Sequence, residues 1–178
     1  MAVPSHSDNP DIILLNKYRN SYEHNIDCAH EMMHLSFHSH LHKKTFNCFN
    51  AITANQDMFI EWQANEGSAE YCVPYMVFVP MVCENYSNLE KYDISLFQEY
   101  CYQLGRTFNV PATVIDYRMR NLKWEIWQHL QGVPIENVEL LSGRELRKRN
   151  IHIKSIPEIV IDNQEAEDDK LIGLYSNQ

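Results

Sequence analysis

The chain has 178 residues, 44% of them hydrophobic, 22% charged and 11% aromatic, with five glycines. That much apolar surface builds a core, which excludes a collagen-like, low-complexity or wholly disordered chain, and the length suits roughly one domain. Fifteen Lys and Arg against 24 Asp and Glu leave a net charge of −9, which argues against a globally basic nucleic-acid binder.

No apolar run approaches the ~18 residues that would span a bilayer; the longest, 75–83, is short and contains Pro80. The opening MAVPSHSDNPD has no basic stretch followed by an apolar one, so neither a secretory leader nor membrane association is expected. Five cysteines, an odd number with no CxxC pair, predict reduced thiols and a cytoplasmic protein.

In chain order, DIILLN at 11–16 predicts a short buried strand, and the polar stretch 17–25 a turn. A helix is predicted from Ile26 to His38, capped by Asn25 or Asp27, with Ile26, Met33 and Phe37 facing inward. Residues 39–55 lack periodicity and read as loop. A second helix is predicted over 57–72, ending before Pro74 and carrying Gly67 at a cost of ~1 kcal/mol. The apolar segment 75–83 suits a helix or a buried strand, and 85–93 carries turn residues. Two helices follow, 96–108 and 111–131, with Asn109 suited to a left-handed turn between them and Val114 inward. Beyond Gly132 the composition shifts: 144–154 holds five bases and one acid, and 158–169 six acids and no base. Segment 151–161 alternates and predicts an edge strand, limited to an edge by Pro157, and the last dozen residues are expected to pack loosely.

The chemistry concentrates at His30-Glu31-Met32-Met33-His34. Histidines four apart lie one helical turn apart on one face, so both imidazoles can reach a single cation. Glu31 sits about 100° round the helix, beside the ion rather than on it, where it can take a proton from an attacking water. Imidazole and carboxylate ligands suit Zn2+. The pattern HExxH arises by chance about 0.04 times in a chain of this composition.

Two histidines need a third ligand. His38 lies ~12 Å along a helix from His30, too far to share the ion, and His40 and His42 read as solvated loop residues. Glu61, 27 residues after His34, is the better candidate. Asn65, one turn beyond Glu61 on the same face, could accept the free ring N–H of a ligand histidine and fix its tautomer. Glu66 and Glu70 face away or lie too far along. The alternative role for Glu61 is negative charge near a helix N-terminus, worth a few tenths of a kcal/mol.

AHEMMHLSFH, EWQANEGSAEYCVP and FNVPATVIDYRM together resemble the ImmA/IrrE family of metallo-endopeptidases, over roughly residues 11–124. The resemblance implies His30, His34 and Glu61 as zinc ligands and Glu31 as catalytic base. Ala29, Ala64, Asn65, Ala69 and Pro74 stand where the family pattern has them. Met33 departs from it, taking a position usually held by Gly, and Gly67 takes one usually held by an aromatic residue.

The expected fold is α+β: a zincin-like domain over 11–90 with a small sheet packed on the zinc helix, then a helix-turn-helix-like segment over 91–132 packed on that core. A partly irregular extension, 133–178, completes it. Segment 91–124 carries a net of only +2, so packing is favoured over duplex reading, with Trp124 and Trp127 as anchors. The basic cluster Arg144, Arg147, Lys148 and Arg149 reads as a solvated face. The expected function is a zinc-dependent endopeptidase. The resemblance implies a protein substrate, a helix-turn-helix transcriptional repressor of a mobile element or stress operon. The alternative is a non-catalytic, zinc-stabilised regulator that binds DNA or a repressor through its helical segment.

Overall fold

The side chain of Asn20 accepts the Glu23 N–H at 3.0 Å, and Glu23 Oε2 accepts the Asn20 N–H at 2.9 Å. This reciprocal pair is a capping box, satisfying donors that a helix N-terminus leaves unpaired. Helix α1 therefore spans Ser21–Met33. Polarity alone predicts a turn over 17–25 with a cap at Asn25 or Asp27; the Asn-x-x-Glu spacing decides otherwise. The computed structural model describes residues 2–3, 10–39, 58–89 and 91–175, with side chains through 166. The loop reading of 40–55, with His40 and His42, lies outside the described residues.

The described residues are mostly helical with a two-stranded sheet, an α+β make-up. They divide into two compact units, Met1–Pro74 with Phe108–Pro111, and Tyr75–Thr107 with Ala112–Gln178.

In the first unit, β1 (Ala2–Val3) pairs antiparallel with β2 (Ile12–Ile13), Ala2 opposite Ile13 and Val3 opposite Ile12. The expected buried strand at 11–16 is thus a two-residue strand, and Ile12 is 47% exposed. Among the described residues it has β1 as its one partner, so half its surface faces outward. After α1 the helix loosens into a single π-helical turn, His34–His38. This turn overrides one inward expectation: Phe37 is 64% exposed, and His34 and His38 are buried in its place. Helix α2 (Met58–Cys72) packs on α1. The residues buried on these two helices are mostly small: Ala29 on α1, and Ala64, Ser68 and Ala69 on α2. Small side chains permit a short interaxial distance, which lets functional side chains of the two helices meet. Ala2, Ile60 and Leu35 form a hydrophobic cluster beside them.

In the second unit the segment 75–83 resolves as helix, α3 (Tyr75–Glu84), with Pro80 inside it and Phe78, Val79 and Val82 buried. A one-turn helix α4 (Tyr86–Leu89) occupies part of the expected turn. α5 (Ile94–Phe108) buries Phe97, Cys101, Leu104 and Gly105, and Asn109, in the stretch that belongs to the first unit, follows in the left-handed conformation with φ 56°, as its residue type allows. The expected helix 111–131 is broken at Leu122 into α6 (Ala112–Asn121) and α7 (Lys123–Leu130). Ile115, not Val114, is the fully buried residue of the first turns of α6. Trp127 does not serve as a buried anchor: it is 42% exposed and stacks on Trp124 with ring centroids 5.1 Å apart.

After α8 (Gly143–Lys148), where the basic cluster begins, the chain enters α9 (Ile156–Tyr175). The expected edge strand over 151–161 is therefore mostly helix. Ser155 N–H and hydroxyl both donate to Glu158 Oε2, at 2.6 and 2.7 Å, marking the helix start. Pro157 lies in the first turn, where its missing N–H breaks no helical bond.

Candidate metal centre

α1 and its π-helical continuation place the two motif histidines one above the other. His30 Nε2 and His34 Nε2 are 3.0 Å apart, and the rings meet edge to face with centroids 4.7 Å apart. From α2, Glu61 Oε2 approaches to 3.4 Å from His30 Nε2 and 3.5 Å from His34 Nε2. The His34 side chain is fully buried, and those of His30 and Glu61 are 12% exposed. Among the described residues, this is the group of His, Cys, Asp or Glu side chains that converges closely enough to hold a metal ion.

The spacing can be tested against a cation. Nitrogen and oxygen ligands ~2.05 Å from a tetrahedral zinc ion stand ~3.3 Å from one another. Edges of 3.0, 3.4 and 3.5 Å match that face. Proton arithmetic agrees. Two Nε2 atoms 3.0 Å apart cannot both carry hydrogens on the line between them, whereas two lone pairs there suit a cation. Two imidazoles and one carboxylate form the three-ligand set of catalytic zinc sites, whereas structural sites close the shell with a fourth protein ligand.

Glu31, on the same turn as His30, is buried at the edge of this group. His30, Glu31, Asn65, Ser68, Ile26 and Asp27 help to line a cavity of about 260 Å³ in the first unit. Arg19 closes one side, with Nε 3.0 Å from Asp27 Oδ2 and Nη2 3.5 Å from Glu23 Oε1. Asn65 is exposed on this wall, and its carbonyl accepts the Ser68 hydroxyl at 2.9 Å. The cavity brings polar groups and a carboxylate next to the imidazoles, the surroundings in which a peptide bond and a water molecule can be held together.

Sequence reasoning passed over one residue here. His38 does lie too far along to join His30, Glu61 and His34 around one ion, yet it touches a member of that group: its Nδ1 is 3.0 Å from His34 Nδ1. Its Nε2 is 3.3 Å from Gln63 Oε1 on α2. The signal available in the sequence was the second i, i+4 histidine spacing, His34 to His38.

One nearby thiol, that of Cys72, is chemically quiet. Burial, and secondarily the neighbouring Cys28, push the Cys72 thiol up from its usual range, which keeps it protonated near neutral pH and a poor nucleophile or metal ligand.

No curated protein and no solved structure shows a significant match to the chain. A family model does match, over residues 2–120, about two thirds of the chain and including both helices of the metal group. That match establishes that the chain belongs to the Peptidase_M78 family, the IrrE N-terminal-like domain.

Proposed function

We propose that this chain is a zinc-dependent endopeptidase in which His30, His34 and Glu61 hold the ion and Glu31 is the general base. The observation that carries the reading is the convergence of two imidazole nitrogens and one carboxylate oxygen within 3.0–3.5 Å of one another, beside a buried carboxylate.

A bound zinc ion supplies Lewis acidity, polarising the scissile carbonyl and making water a better nucleophile. The chain's own residues do the rest. Glu31 takes a proton from the attacking water and returns it to the leaving amine, one carboxylate serving both transfers. Its burial beside the cavity keeps bulk water away from that proton path. Glu61 contributes a negative charge that offsets the divalent ion while the imidazoles remain neutral ligands. Asn65 and Ser68, on the α2 wall of the cavity, supply polar groups along which a peptide backbone can lie.

The substrate we assign is a protein, a helix-turn-helix transcriptional repressor of a mobile element or stress operon. What supports this is the membership in a metallopeptidase family together with the motif resemblance that runs to residue 124.

The test is Glu31→Gln. Zinc content should stay at one ion per chain while cleavage of a co-encoded repressor disappears. Cleavage retained by that variant would remove Glu31 from the reaction. A wild-type protein that holds zinc and cleaves nothing would favour a structural, non-catalytic metal.

A further inference from the structure

We propose that His38 and Gln63 are positioning residues that fix the tautomer and the ring orientation of His34 through a directed hydrogen-bond relay. The inference rests on the reading of His34 as a metal ligand.

The relay begins in helix geometry. In a π-helical turn the chain widens, and the imidazoles of His34 and His38 come together with centroids 5.2 Å apart. Their Nδ1 atoms lie 3.0 Å apart, so one of the two must donate and the other accept. The far nitrogen of His38 lies 3.3 Å from Gln63 Oε1, which can only accept. His38 therefore carries its proton on Nε2 and presents a lone pair at Nδ1. His34 must then donate from Nδ1, which leaves the lone pair of its Nε2 facing His30 Nε2 and Glu61. The opposite polarity puts the His34 proton on Nε2, aimed at His30 Nε2 3.0 Å away, and withdraws the lone pair a cation needs.

Each relay member is held for this task. His34 is fully buried and His38 is 4% exposed, so water does not compete for the Nδ1 contact. Gln63 lies two residues after Glu61 on α2. One helix thus supplies both a ligand carboxylate and the acceptor that ends the relay. A neutral amide at that end orients the imidazoles without adding negative charge, where metal-ligating histidines often use a carboxylate or a backbone carbonyl.

The experiment is a zinc competition titration with a chromophoric chelator, combined with long-range proton–nitrogen NMR of the histidine rings in the zinc-loaded, unmutated protein. The spectra should show His34 protonated at Nδ1 and His38 protonated at Nε2. His38→Phe, which keeps the ring volume and removes the acceptor, should weaken zinc binding about 10- to 100-fold. His38→Gln, whose side-chain oxygen can still accept from His34, should recover most of that loss. Gln63→Leu, at an exposed position that a folded chain tolerates, should weaken binding severalfold. His38 protonated at Nδ1, or a folded His38→Phe that binds zinc as tightly as the parent, overturns the proposal. Should His38→Phe fail to fold, the ring spectra and Gln63→Leu decide, and unchanged affinity in Gln63→Leu counts against the relay. Failure of the unmutated protein to bind zinc refutes the metal centre itself, a separate result.

Discussion

Met33 lies on Gly67: a Cβ built on Gly67 would stand 2.8 Å from Met33 Sδ and 3.0 Å from its Cγ. By the motif resemblance, Met33 on α1 takes a position usually held by Gly, and Gly67 on α2 one usually held by an aromatic residue. The departures are one exchange of volume across the α1–α2 contact. The zinc-motif helix supplies the side chain, and the Glu61 helix gives it room.

That exchange predicts a coupling. Gly67→Phe alone should destabilise by roughly 1–3 kcal/mol through overpacking, and Met33→Gly alone should destabilise through lost packing and ~1 kcal/mol of helix propensity. The double variant should be more stable than the sum of the two changes by roughly 0.5–3 kcal/mol, the range for residues in contact. Urea unfolding of the four proteins measures it. Strict additivity would mean that the two residues do not share a space.

Metal linkage gives a second expectation. An ion that binds the folded protein alone stabilises it by ~2.7 kcal/mol at a free concentration 100 times Kd. Thermal unfolding should shift upward with added zinc and return with a chelator. Glu61→Gln should remove most of the shift, because the carboxylate lying 3.4 and 3.5 Å from the two imidazole nitrogens is then replaced by a neutral amide. An unchanged shift in that variant would exclude Glu61 from the centre.

In the second unit, Gln128 holds an irregular stretch of backbone after Val138. Its Nε2 donates to the Glu139 carbonyl and its Oε1 accepts the Glu139 N–H, both at 2.9 Å. Glu125 Oε1 accepts the Leu141 N–H at 3.2 Å nearby. Gln128→Leu keeps much of the volume and removes both bonds, at a cost of roughly 1–3 kcal/mol. Hydrogen exchange at the Glu139 amide should accelerate in the same variant; protection unchanged there would show that the amide clamp does not hold the segment.

The α9 cap carries a pH signature. The Ser155 backbone N–H and then its hydroxyl hold the Glu158 carboxyl below its ordinary value of 4.5; burial opposes them, and Lys123 and then Arg120 add smaller help. A carboxyl depressed in the folded state stabilises the fold at pH above 4.5, and that stabilisation is lost as pH falls through the folded value. The stability difference between the parent and Glu158→Gln should be constant from pH 6 to 8 and should shrink below about pH 4.5. A difference that stays level down to pH 3 would show the cap contributes no ionic stabilisation.

Local chemistry was legible in the residues alone. Helical spacing of His30 and His34 with Glu31 between them follows from 3.6 residues per turn, and the α2 range follows from composition ended by Pro74. The left-handed turn at Asn109 follows from residue type. Two helix starts were also written locally, as Asn20-x-x-Glu23 and Ser155-x-x-Glu158, but polarity and alternation masked them. In both places a side-chain cap outweighs the average preference of the surrounding residues.

Tertiary structure decided what spacing cannot. Glu61 is 27 residues from His34, and only the packing of α2 on α1, through small buried residues, closes the distance to 3.5 Å. The π-helical turn His34–His38 leaves Phe37 exposed, buries His38 and makes it the partner of His34. Met33 and Gly67 look like two unrelated irregularities along the chain and become one fitted contact in space. A one-dimensional pattern specifies which groups face the same side of one helix; which groups of different helices meet depends on side-chain volumes summed across the interface, a quantity that exists only once the helices are packed.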